Sequence, residues 1–231
     1  MDLEDLLFLD IETVAIVPDF VQLNPNLQKA WERKAFFMDK DKEARQLFFE
    51  KAGIYAEFGK IICIGIGYFK TRNQKLEFRV KAFSDENEEN LLKEFLKIVQ
   101  KFSEQSILVA HNGKEFDFPY LCRRLLVNAL PLPKILQLSG KKGWQIPHLD
   151  TLEMWRFGDH KNYTSLKTLA TLFGIALSEE DIDGSMINAL YYGEANLEKI
   201  RNYCRHDVRM TAEVFLKIRG IQHQGLEIIE V

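Results

Sequence analysis

Residues 6–18 read LLFLDIETVAIVP, an apolar run broken only at Asp10, Glu12 and Thr13. Consecutive large apolar side chains mark a buried strand, where an unpaired carboxylate pays a desolvation cost of several kcal/mol. Side chains two apart on an extended chain point the same way. A core strand that carries two acids on one side therefore needs something to offset their charge. Spacing alone is a weak signal, because 34 acids among 231 residues give about five acid-x-acid pairs by chance. Asp39/Asp41 and Glu179/Asp181 are other such pairs, but they sit in polar stretches. A hard divalent cation, Mg²⁺ or Mn²⁺, is the simplest compensation for Asp10 and Glu12. A strand end that meets solvent or a helix N-terminus is the other, and the pair by itself leaves both open.

The chain is 46% apolar and 28% charged, enough for one large globular domain, taken as 1–231. Its net charge of −3 projects no long-range positive field and forbids no local basic patch. The acidic start MDLEDLL has no signal-peptide pattern, and no run is long enough to cross a bilayer. Cys63, Cys122 and Cys204 lack metal-type spacing and read as packed, reduced thiols. The expected location is the cytoplasm, with no membrane partner.

Strands are expected at 5–9, 60–69, 75–83 and 106–110, with a short one ending at Asp150. Amphipathic helices are expected at 85–102, 118–130, 165–174 and 196–220. This order suggests an α/β fold, a mixed sheet flanked by helices. Residues 18–58 separate the first two strands by far more than an ordinary connection. They read as a helical insertion packed over the edge of the site.

Two further segments carry candidate chemistry. In LVAHNGKEFDFPYL (108–121) a strand runs into His111-Asn112-Gly113, a turn where positive φ is easy, and then into a helix with Asp117 in its first turn. A helix-start aspartate with Pro119 close behind is ordinarily a cap. In NYCRHDVRMT (202–211), Tyr203 and Asp207 are four apart and share a helix face, while His206 falls about 100° away. The ordinary alternative there is a packed tyrosine and an acid paired with Arg205 or Arg209.

With FLDIET (8–13), HNGKEFDFP (111–119) and YCRHD (203–207) in this order, the chain resembles the DEDD-type 3′ to 5′ exonucleases of the ribonuclease H-like superfamily. The resemblance is to the subclass with tyrosine in the third motif. EFGKIICIGIGYF (57–69), SLKTLATLFGI (165–175) and DIDGSM (181–186) are similar to stand-alone exonucleases resembling the proofreading domain of B-family DNA polymerases.

The resemblance implies a ribonuclease H-like fold and two Mg²⁺ or Mn²⁺ ions held by Asp10, Glu12, Asp117 and Asp207. Asp10 would bridge both ions, Glu12 and Asp207 would complete the shell of the water-activating one, and Asp117 would hold the second. Tyr203 would orient the attacking water and help remove its proton. Ile11, Thr13, Asn112 and Phe116 are candidates to hold the terminal nucleotide. The implied substrate is the 3′ end of single-stranded DNA, with RNA trimming as the runner-up and a catalytically silent nucleic-acid scaffold as the reading from another class. A silent module would be marked by lost acids, and all four are present. A polymerase or helicase partner would dock through 18–58. GKKGW (140–144) is a candidate phosphate-binding loop, Arg123 and Arg124 read as surface charges, His160 as an unremarkable loop residue, and Asp150 as structural.

Overall fold

A computed structural model describes residues 2–73, 75–159, 161, 163–177, 182–221 and 226–231. One six-stranded sheet organises it, in the order β5-β4-β1-β2-β3-β6. The strands are β1 (Leu6–Ala15), β2 (Gly59–Arg72), β3 (Lys75–Ser84), β4 (Ile107–Ala110), β5 (Leu149–Asp150) and β6 (Glu227–Glu230). Antiparallel pairing joins β1 to β2 and β2 to β3, and parallel pairing joins β1 to β4, β4 to β5 and β3 to β6. The sheet is thus mixed, and helices cover both of its faces.

The helices are α1 (Pro25–Met38), α2 (Ala44–Lys51), α3 (Glu88–Val99), α4 (Asp117–Val127), α5 (Thr151–Arg156), α6 (Leu166–Leu172), α7 (Ile187–Ala189) and α8 (Leu197–Ile218). Alternation along β1 sorts its side chains onto two faces. Leu7, Leu9 and Ile11 enter one core cluster with Leu91, Leu92 and Phe95 of α3 and Phe118 and Leu121 of α4. Leu6 and Phe8 enter the other, with Val208, Ala212 and Phe215 of α8. Asp10 and Glu12 follow Leu6 and Phe8 in register, so the sheet aims both acids at α8. Phe8 sits among Phe69, Phe78 and Phe215 in edge-on contacts at 5.4–5.6 Å between ring centres.

Two glycines on β2 let α8 approach. A Cβ on Gly65 would lie 2.6 Å from Val208 Cγ2 and 2.9 Å from Cys204 Sγ, and one on Gly67 would lie 2.9 Å from Val208 Cγ1 as well as 2.3 Å from the Phe78 ring of β3. Only the missing side chains allow so close a crossing.

Residues 18–58 carry α1 and α2, which pack on each other and on the end of β1. Trp31 is fully buried, its ring edge-on to Phe48 and Phe58, and its Nε1–H donates to the Ala44 carbonyl at 2.7 Å. Ala15 from β1 joins the same cluster, so the insertion shares its core with the sheet.

Several expectations need adjusting. β1 runs to Ala15 rather than stopping at residue 9, so the two acids lie inside a strand instead of at its end. Its pairing with β2 slips between Glu12 and Thr13, a bulge of the kind that re-aims side chains beside functional sites. Arg124 is no surface charge. It is 3% exposed, donates to Glu88 through Nε at 2.8 Å and to the Ala56 carbonyl through Nη1 at 2.9 Å, and so joins α4, α3 and the approach to β2. Arg123 is exposed, as expected. β6 and α5, four and six residues long, were not expected. His160 and Asp181 lie outside the described residues.

Candidate active site

A cavity of about 440 Å³ opens where the middle of β1 meets the start of α4 and the middle of α8. Asp10, Ile11, Glu12, Asn112, Phe116, Asp117, Tyr203 and Asp207 all line it. Thr13 lines a smaller groove next to it. Segments about 100 residues apart thus converge on one volume.

Each element delivers its acid by a distinct device. On β1 the pleat does so, and one ligand oxygen each of Asp10 and Glu12 falls within 4.8 Å of the other and of Cys204 Sγ. On α4 the aspartate is not the cap. Phe116 holds that position and makes no side-chain capping bond, while Asp117 Oδ1 accepts the N–H of Ile11 at 3.1 Å. That bond pins the third acid to the strand bearing the first two. On α8, Arg205 pairs with Asn202 and Glu230 and Arg209 with Glu213, so neither neutralises Asp207.

The turn before α4 is held by Asp150, which is 4% exposed. Its carboxylate accepts the N–H groups of Asn112 (2.9 Å) and Lys114 (3.1 Å) and caps α5 through Leu152 (2.9 Å). Asn112 has φ 62°, the left-handed region that an Asn-Gly turn tolerates. His111 Nε2–H donates to the Thr164 carbonyl at 2.9 Å, and Nδ1 faces the Thr151 hydroxyl at 2.9 Å. Burial holds its imidazole below the usual range, consistent with a neutral ring.

Charge crowding dominates the electrostatics. Burial first, and Asp207 and Asp117 next, push the Asp10 carboxyl well above its usual range. Burial and then Asp10 do the same to Glu12. Asp117 is pushed up to about 7 by burial, against the pull of its own N–H and that of Ile11. Asp207 is also pushed up to about 7 by burial, opposed by the Tyr203 hydroxyl and Lys167. Asp10 Oδ2 and Asp207 Oδ1 are buried and, among the described residues, have no hydrogen-bond partner. Orphaned buried carboxylate oxygens facing one cavity fit a hard divalent cation. Cys204 does not compete for that role: it donates to the Asp10 carbonyl at 3.6 Å, and burial holds it a thiol far above its ordinary range. Tyr203 is likewise driven up, by burial and then Asp207, and stays a phenol.

A model of the RNase H superfamily matches residues 47–218, about three quarters of the chain. The chain belongs to the RNase H superfamily. That span includes Asp117, Tyr203 and Asp207, while β1 precedes it. Among curated proteins the chain is 27% identical over 203 residues to a DNA polymerase of Thermococcus aggregans, covering 77% of this chain and 11% of the polymerase. It is 26% identical to DNA polymerases of Pyrococcus glycovorans and Thermococcus kodakarensis, covering 25% and 12% of their lengths. The chain therefore spans a quarter or less of the relatives it matches. Nucleases of this superfamily act on nucleic acids and generally use divalent metals, in keeping with the acid cluster.

Other candidates fare differently. Ile11 is only 4% exposed, packs in the core and spends its N–H on Asp117, so it offers the cavity little more than an edge. Lys141, Lys142 and Trp144 line neither the cavity nor the groove; the Lys142 ammonium instead stands 5.0 Å from the centre of the exposed Trp144 ring. His206, placed by helical geometry off the Asp207 face, nevertheless lines the cavity, because the cavity wraps around α8 as far as Met210. Lys167 and Tyr163, which the sequence did not single out, line it too. No helix among the described residues is long and apolar enough to cross a membrane.

Proposed function

We propose that the chain is a metal-dependent 3′ to 5′ exonuclease that removes nucleoside 5′-monophosphates from the 3′ end of single-stranded DNA. The observation that carries this is the convergence of four carboxylates, Glu12 and Asp117 buried and Asp10 and Asp207 half-buried, and a tyrosine on one cavity, with two buried oxygens left without partners among the described residues. The named relatives are DNA polymerases, which favours DNA over RNA.

Asp10, Glu12, Asp117 and Asp207 would hold two Mg²⁺ or Mn²⁺ ions. When bound, such ions supply Lewis-acid stabilisation of charge on a phosphodiester and favour ionisation of water. In the balanced reaction the water oxygen bonds to phosphorus as the P–O3′ bond breaks, and the water's protons end on the departing 3′ oxygen and in solvent. Tyr203 acts as a hydrogen-bond donor that orients the attacking water. Burial and the Asp207 charge hold its phenol protonated in the metal-free site; with that charge offset by bound ions, Tyr203 would help remove the water's proton. Asn112 and Phe116 offer an amide and a ring face to the terminal nucleotide, and Thr13 a hydroxyl beside Glu12. Residues 1–231 act as one exonuclease domain. Phe36 and Phe37 on the insertion, 57% and 75% exposed, are where a polymerase or helicase would bind.

The test is 5′-labelled single-stranded DNA and RNA of one sequence, incubated with Mg²⁺, Mn²⁺ or EDTA. A ladder that shortens from the 3′ end on DNA is expected. EDTA should abolish it, and Asp10→Ala and Asp207→Ala should each slow it by at least about 10²–10³-fold. RNA lost as fast as DNA would overturn the substrate assignment, and full activity in either variant would overturn the mechanism.

A further inference from the structure

A second groove, of about 150 Å³, adjoins the main cavity and shares Ile11, Glu12, Phe116 and Gly184 with it. Its outer wall comes from the insertion. Phe49 of α2 and Ile54 line it, 44% and 51% exposed, whereas the neighbouring Phe48 is fully buried. Two large apolar side chains held half in water side by side at the rim of a polar site form a contact surface.

The wall is tied down at two points. The Asn188 carboxamide bridges strand and insertion, accepting the N–H of Ala15 at 2.9 Å and donating to the Phe49 carbonyl at 3.0 Å. The Tyr120 hydroxyl donates to the Gly53 carbonyl at 2.8 Å, and Gly53 lies so close to β1 that a Cβ there would be 3.1 Å from Val14. Phe49 and Ile54 therefore keep a defined distance from Glu12 and Thr13.

Charge decides what this groove can take. Among the described residues no lysine or arginine lines it, and of its two acids Glu50 is already paired with Lys42 and Gln46. A continuing strand brings one phosphate per nucleotide and would find no cationic side chain in this groove to receive it. A 3′-terminal nucleotide ends in a neutral hydroxyl and presents a flat, largely apolar base. The volume suits one ring system. By contrast, the main cavity includes Lys167, suited to the phosphates upstream.

We propose that the insertion forms one wall of a pocket for the unpaired 3′-terminal base, with Phe49 and Ile54 packing on that base opposite Phe116. This rests on the exonuclease reading above and adds the insertion to the substrate site. Enclosing the base on both faces excludes a paired partner, so the same wall selects frayed or single-stranded ends.

The test uses the p-nitrophenyl ester of thymidine 5′-monophosphate, which contains the terminal nucleotide and no upstream strand, beside a single-stranded oligonucleotide. Both are assayed with Mn²⁺ on the wild type, Phe49→Ala, Ile54→Ala, Phe49→Tyr and, as a surface control at the far end of α4, Val127→Ala, 63% exposed. Phe49→Ala and Ile54→Ala should raise KM at least about tenfold on both substrates, the loss expected from truncating a base-packing side chain. Phe49→Tyr should restore KM, Val127→Ala should leave it unchanged, and melting temperatures should hold because both target side chains are half exposed. Unchanged KM in an active enzyme overturns the proposal alone, as does a rise confined to the oligonucleotide, which would put the upstream strand in the groove. A wild type that cleaves neither substrate overturns the exonuclease reading and this proposal with it.

Discussion

Asp117 is both a ligand candidate and a clasp, since its carboxylate holds Ile11 N–H and faces the other acids. Asp117→Asn keeps an acceptor for that N–H and removes the charge. It should cut nuclease activity by about 10²-fold or more, yet raise the metal-free protein's stability at pH 8 by on the order of 1–2 kcal/mol, read by thermal melting. The sign follows from the raised pKa values. A carboxyl that titrates near 7 in the fold and near 4 when unfolded binds more protons folded, so stability falls as pH rises through that window. Without metal the site should weaken the protein above pH 7, and the rise in melting temperature on adding Mn²⁺ should be larger at pH 8 than at pH 5.5. His148 has the opposite sign. It is 2% exposed, donates from Nε2 to the Ile135 carbonyl at 2.8 Å and accepts Leu108 N–H on Nδ1 at 3.3 Å, and burial lowers its pKa to about 4. Protonation would forfeit the Leu108 bond. Its contribution is present above the unfolded value and lost as pH falls from 6.5 toward 4, by about 2 kcal/mol at pH 5. His148→Asn should flatten that part of the pH–stability curve relative to wild type.

At the level of elements, the site depends on how closely α8 crosses β2. Gly65→Ala places a methyl against Val208 and Cys204, one turn from Asp207. Overpacking of this kind costs about 1–3 kcal/mol. It should also lower activity by moving Asp207 away from Asp10, with Mn²⁺ titration showing weaker binding. β1 to β4 and the long helices were legible from their apolar runs and spacing, and even β4, only four residues long, reads ILVA. β6, equally short, reads EIIE with an acid at each end, and α5 spans fewer than two turns, so neither announced itself. Arg124 was misread because nothing local announces that Glu88, 36 residues earlier, meets it in the core.

At the scale of the molecule, the insertion and the sheet share a core through Ala15, so they should unfold together. Trp31→Ala should cost about 3–5 kcal/mol and shift a single thermal transition. A separate low-temperature transition would show the insertion melting alone. That Asp10 and Glu12 point the same way, and that Tyr203 and Asp207 share a helix face, followed from the residues themselves, because periods of 2 and 3.6 are properties of the local backbone. That Asp117 reaches Ile11 instead of capping its helix, that Asp150 holds the Asn112 turn, that His206 lines the cavity, and that Phe49 stands beside Glu12 were decided by tertiary packing. The hydrogen bonds among them join residues 36 to 106 apart in the chain, and the cavity gathers residues farther apart still. No local preference specifies such a meeting. It depends on the sum of many weak contacts that seat α4, α8 and the insertion on one sheet.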